Sequence, residues 1–114
     1  MFRMVVRTLF WSALAFCFVM AVTPQPPALP TSDKTQHVVA FATLAVLAVV
    51  GYRDAGLLRL WLGLVAFGGA IELVQGLAWI GRTADPLDWL ADIAAASVVI
   101  GAAALWPAPR SAAT

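Results

Sequence analysis

Four long apolar stretches divide the chain, and none of them alternates with the period 2 of a half-buried strand. They run from Val5 to Val22, from Val38 to Gly51, from Leu57 to Ile80 and from Leu87 to Trp106. About 20 helical residues cross the hydrocarbon of a bilayer. The second stretch reaches that length only when it begins at Asp33. The second and fourth helices therefore carry polar residues within their first turns. The pattern predicts an all-α fold, a small polytopic membrane bundle of four transmembrane helices over 5–22, 33–51, 57–80 and 86–106. They form one membrane domain, 5–107, between a short cytoplasmic segment, 1–4, and a tail, 108–114.

The connections agree with this division. Residues 23–32, TPQPPALPTS, hold four of the seven prolines and predict an extended loop. YRDAG (52–56) and GRTADP (81–86) read as short polar turns, and WPAPRSAAT closes the chain as a helix stop and loose end. Asp33 with Gln36 reads as a capping box. Asp85-Pro86 reads as an N-cap followed by proline at the first helical position, with Asp88 against the positive end of the helix dipole.

Composition narrows the class. The chain is 62% hydrophobic and 11% charged, and its mean hydropathy is +0.90. Soluble domains carry roughly a quarter charged residues, so a soluble globular enzyme is excluded, and so is disorder. A net charge of +1 excludes a nucleic-acid footprint. The lone Cys17 permits no internal disulfide and no cysteine zinc cage.

Arg3, Arg7, Arg53, Arg59 and Arg110 fall on one side of the predicted bundle, and Lys34 and Arg82 on the other. The positive-inside rule then puts both termini in the cytoplasm of a bacterial-type plasma (inner) membrane protein. Trp79 and Trp89 would form the outer aromatic belt, and Trp61 and Trp106 the inner one. A rival reading makes Arg3 and Arg7 the start of a signal peptide cleaved near Thr23, leaving three helices.

Ionisable residues inside such helices are costly, roughly 2.5 to 3.5 kcal/mol for an acid at the centre. His37 lies about 6 Å below the start of its helix. Glu72 lies roughly two turns before the expected end of the third helix, and Asp88 and Asp92 about one and two turns into the fourth. All converge on the outer half of the membrane. Asp33 and His37 share a helix face; so do Glu72, Gln75 and Trp79, and so do Asp85, Asp88 and Asp92. The expected site is therefore His37, Glu72, Gln75, Asp88 and Asp92, with Asp33, Lys34, Arg82 and Asp85 at its rim.

Each residue also has a plainer role. Asp33 and Asp85 can cap helices, Asp88 can pair with Arg82, and Lys34 can reach the headgroups. His37 can bond a neighbouring carboxylate, and Gln75 can tie helices together. Glu72 and Asp92 lie too deep for a capping role. Gly68, Gly69, Gly76, Ala91, Ala95 and Gly101 read as sites of close helix approach.

The polar residues also carry a family resemblance. Asp33-Lys34-Thr35-Gln36-His37 with Phe41 resembles the D-K-x-x-H-x-x-x-F signature of VanZ-like proteins. Glu72-Leu73-Val74-Gln75 resembles that family's E-x-x-Q, and Gly81-Arg82-Thr83 with Asp88 its G-R-x stretch and following aspartate. The matches span 33 to about 101. This chain has Asp92 where the family often has Asn, and Ala95 near a family Gly. The resemblance implies a small cell-envelope membrane protein and carries an association with resistance to teicoplanin-type glycopeptides.

Three functions fit these features. The first is a binding protein, not an enzyme, that engages a lipid headgroup or amphiphilic ligand and modulates the envelope. The second is a metal-assisted membrane enzyme acting on a lipid-linked substrate, with His37, Glu72, Asp88 and Asp92 around a divalent ion. The third is a structural accessory subunit. No resident cofactor is expected under the first or third.

Overall fold

In hydrocarbon a backbone must satisfy its own polar groups, so each apolar stretch folds as a helix. The computed structural model describes residues 1–24, 32–77, 80–81 and 83–106. Helices α1 (Phe2–Val22), α2 (Asp33–Tyr52), α3 (Leu57–Gln75) and α4 (Pro86–Leu105) follow one another, with one 3-10 turn, Arg53–Ala55, after α2. All four are long and apolar enough to cross a membrane. Most of the proline loop, Trp79, Arg82 and the expected tail lie outside the described residues.

Two helix ends differ from expectation. Ser32, not Asp33, caps α2: its hydroxyl accepts the Thr35 N–H at 3.1 Å, and Asp33 is the first helical residue. Both residue types cap well, and the chain offers them side by side. The second difference is that α3 stops at Gln75 instead of running to Ile80. Gly76 lowers the cost of leaving the helix. Its N–H still bonds Glu72 O at 3.0 Å, and Leu77 N–H bonds Val74 O at 3.0 Å. Gly81, at φ 74°, then supplies a left-handed turn that a side chain would strain.

Helix α2 packs against the other three, most closely on α4 and α1. The core around it is Phe10, Leu44, Ala45, Ala48, Leu64, Ala96 and Ile100. Three of these are alanines, which let the helix backbones approach closely. The outward faces are equally apolar: Leu58, Leu73, Val98 and many others are exposed. A soluble monomer does not present so continuous an apolar surface, and in a bilayer it meets lipid.

The glycines divide. A Cβ on Gly68 would meet Asp92 and Trp89, and one on Gly69 would meet Trp89, but at Gly101 it would meet nothing within 4 Å. Gly101 is thus not a packing residue, contrary to expectation. Trp89 also turns its indole N–H to Val65 O on α3, at 3.0 Å, rather than to a headgroup level.

The end where α2 finishes is held by arginines. Arg3 pairs with Asp54 at 2.7 Å, and Arg7 Nε donates to Gly51 O at 2.7 Å. Arg53 donates to Ala103 O and Trp106 O, both at 2.8 Å, closing the end of α4.

Candidate functional site

At the opposite end α2 and α4 begin and α1 and α3 finish. Of the chain's six acidic residues, all but Asp54 gather here. Asp85 caps α4 through Leu87 N–H at 2.9 Å, with Pro86 at the first helical position. This places Asp88 and Asp92 on the face of α4 that meets α2. Asp88 is buried and Asp92 has no exposed surface at all.

Lys34 crosses from α2 to this face. Its ammonium donates to Asp85 Oδ2 at 2.9 Å and to Asp88 Oδ1 at 2.7 Å. Lys34, half-exposed at the rim, is therefore tied into the acidic cluster. Asp88 pairs with Lys34, while Arg82, its expected partner, lies outside the described residues.

One turn deeper, His37 Nδ1 lies 2.7 Å from Asp92 Oδ1. With Asp92 ionised the carboxylate only accepts, and in that state Nδ1 carries the hydrogen and donates it. Nε2 then faces the other way. It lies 3.6 Å from Asp88 Oδ2 and 3.8 Å from Asp33 Oδ2. Asp92 Oδ2 has no hydrogen-bond partner among the described residues.

Glu72 departs most from expectation. Because α3 ends early, Glu72 sits in its last turn, and its Oε2 accepts the Asp85 N–H at 2.8 Å. It therefore has a capping role after all, anchoring the residue that caps α4. Its Oε1 has no partner among the described residues, although Glu72 is only 9% exposed. Gln75 is buried and donates to Ala21 O at 3.0 Å, closing the end of α1.

One donor atom each from Asp33, His37 and Asp88 lies within 4.8 Å of the others. This trio differs from the expected ligand set. Asp92 stands behind the imidazole and Glu72 on the loop, while Asp33, expected only at the rim, joins the centre. The i, i+4 spacing of Asp33 and His37 was the available signal for it. Gly68, whose missing side chain leaves room on α3 for Asp92 and Trp89, had no functional signal in the sequence.

Outside the membrane-spanning segments, Asp85 has a shifted carboxyl. Its bond to Lys34 and then the Leu87 N–H hold it below the ordinary value of 3.8. A lowered folded-state value means that Asp85 stabilises the fold above the ordinary value and ceases to as pH falls through the lower, folded one. Asp85→Asn should therefore melt below wild type at pH 6, and the gap should close on acidification below about pH 4. Detergent melts across that range check this; a gap that persists in acid would contradict it.

No family model matches the chain, and neither a curated protein nor a solved structure matches it.

Proposed function

We propose that this chain is a VanZ-like integral membrane protein of the cell envelope, with both termini cytoplasmic and the acidic end of the bundle facing outward. Its role is to bind the polar headgroup of a lipid or amphiphile, and so to modulate envelope or glycopeptide susceptibility. One observation carries the reading: His37, Glu72, Asp88 and Asp92, from three helices, gather at one end of an otherwise apolar bundle. Intramembrane ionisable groups are expensive, and a functional site is the default explanation for them. The arginines at the other end favour the same orientation.

Melts of the detergent-purified chain in EDTA, with short-chain phosphatidylethanolamine or phosphatidylglycerol added, test the reading. A ligand that binds only the folded state raises its melting temperature. The expected result is a rise of a few degrees with at least one lipid, lost in Asp88→Asn. Equal shifts in wild type and variant would leave the polar cluster as bundle glue and favour the accessory-subunit reading.

A further inference from the structure

Asp33 and Asp88 come from different helices, yet both carboxylates face the same ring nitrogen. The distances from His37 Nε2, 3.6 and 3.8 Å, are too long for hydrogen bonds. They approach the separation of about 3.4 Å between two donors sharing a tetrahedral ion about 2.1 Å from each. The far side of the ring matches as well. A metal-ligating histidine almost always donates its other N–H to a carboxylate or carbonyl, which fixes the tautomer and the ring plane. Here Nδ1 meets Asp92 at 2.7 Å, and in the Nδ1–H tautomer the Nε2 lone pair is directed at Asp33 and Asp88.

A second, separate observation points to a cation. Asp92 is fully buried and Glu72 about nine-tenths buried, and each keeps one oxygen without a hydrogen-bond partner among the described residues. Five carboxylates thus gather around Lys34 and one imidazole. Three of them, Glu72, Asp88 and Asp92, are buried, and their charge is less costly to hold there when a further cation joins them. Lys34 occupies Asp88 Oδ1, while Asp88 Oδ2 is the atom facing the ring.

We propose that Asp33, His37 and Asp88 form a binding site for one divalent transition-metal cation, Mn²⁺ or Zn²⁺, with Asp92 as the residue that positions His37. The imidazole favours Zn²⁺ and the two carboxylates suit Mn²⁺, which takes mixed nitrogen and oxygen ligands, whereas Mg²⁺ and Ca²⁺ prefer all-oxygen sites. Three protein ligands leave coordination open, and half-exposed Asp33 marks the side from which a ligand can approach. The inference deepens the headgroup reading and rests on it for what the ion meets. An ion held by these carboxylates would take a phosphate oxygen as its next ligand and so add to the contacts that a headgroup makes with the cluster.

The test uses the full chain in detergent, stripped with EDTA and without added lipid. Mn²⁺ binding is read by loss of the free-ion EPR signal, and Zn²⁺ and Mg²⁺ binding by calorimetry. The expected result is one ion per chain, with Mn²⁺ or Zn²⁺ at least tenfold tighter than Mg²⁺. Asp33→Asn should weaken binding at least tenfold; Asp33 is half-exposed and does not cap its helix, so the fold should persist. Asp54→Asn, at the other end, should leave binding unchanged. The chain has a single histidine, so ¹⁵N-histidine NMR reads His37 alone. It should report the Nδ1–H tautomer in wild type, a zinc-induced shift at Nε2, and mixed tautomers in Asp92→Asn. No saturable binding at millimolar ion, or equal affinity in Asp33→Asn, overturns the proposal. A lipid shift that survives in EDTA while no metal binds removes the ion and keeps the headgroup reading. Metal binding with no lipid shift in EDTA or with Mn²⁺ restored removes the headgroup reading and keeps the ion.

Discussion

His37→Ala should destabilise the bundle by on the order of 3 kcal/mol in EDTA, more than any other single truncation at the acidic end. The reason is what it leaves behind. Asp92 has no exposed surface, and Oδ1 on the ring nitrogen is its only hydrogen-bonded oxygen among the described residues. Removing the ring strands a carboxylate between α2, α3 and α4. Breaking a buried pair costs more than replacing both members by apolar groups. The double variant His37→Leu/Asp92→Leu should therefore recover most of the loss. Unfolding of wild type, His37→Leu, Asp92→Leu and the double variant in mixed micelles measures the coupling directly. A single-variant loss under about 1 kcal/mol would mean that Asp92 does not depend on His37. A double variant more stable than wild type would show the pair to be kept at a cost in stability, as binding sites commonly are.

Gly68→Leu should cost about 2 to 3 kcal/mol, while Gly101→Leu should be nearly neutral. Both replace a helical glycine by the same apolar residue, so helix propensity cancels between them. What differs is the space. A Cβ on Gly68 would stand 3.0 Å from Asp92 Oδ2 and 3.1 Å from Trp89 Cδ1; at Gly101 it would meet nothing within 4 Å. The larger side chain forces α3 away from α4 and displaces the carboxylate that orients His37. Gly68→Leu should therefore also disturb the His37 tautomer, which Gly101→Leu should not. Detergent melts with the same ¹⁵N-histidine spectra check both parts. Equal losses at the two positions would indicate that propensity, not the α3–α4 approach, sets the cost.

The helices were legible because length and apolarity are local properties, and so was the Asp85-Pro86 start, whose two residues act on their own turn. The end of α3 was not. Leu77 and Ile80 continue the apolar run past Gly76, and the return of the Asp85 N–H to Glu72 depends on residues 13 apart. The common depth of His37, Glu72, Asp88 and Asp92 could be counted from helix starts. Which of them touch could not, because that depends on how each helix is turned about its axis. A helix apolar on all sides carries little sign of its rotation. For this reason Lys34 and Asp33 were placed at the rim, where both are half-exposed, without the bond of Lys34 to Asp88 or the approach of Asp33 to His37 and Asp88. The pairing of Lys34 with Asp88 spans 54 residues and leaves no periodic trace.

The two ends of the bundle are fastened by different kinds of bond. At the acidic end both partners are mostly side chains: Lys34 with Asp85 and Asp88, His37 with Asp92. At the other end, beside the exposed Arg3–Asp54 pair, Arg7 bonds the main-chain carbonyl of Gly51 and Arg53 those of Ala103 and Trp106. A carbonyl is supplied by whatever residue occupies the position, so those acceptor positions are free to drift without loosening the joint. Each tie at the acidic end needs two particular residues at once, and one substitution there must wait for its complement. Substitution at Ala103 or Trp106 should thus be better tolerated by its joint than substitution at Asp88 or Asp92.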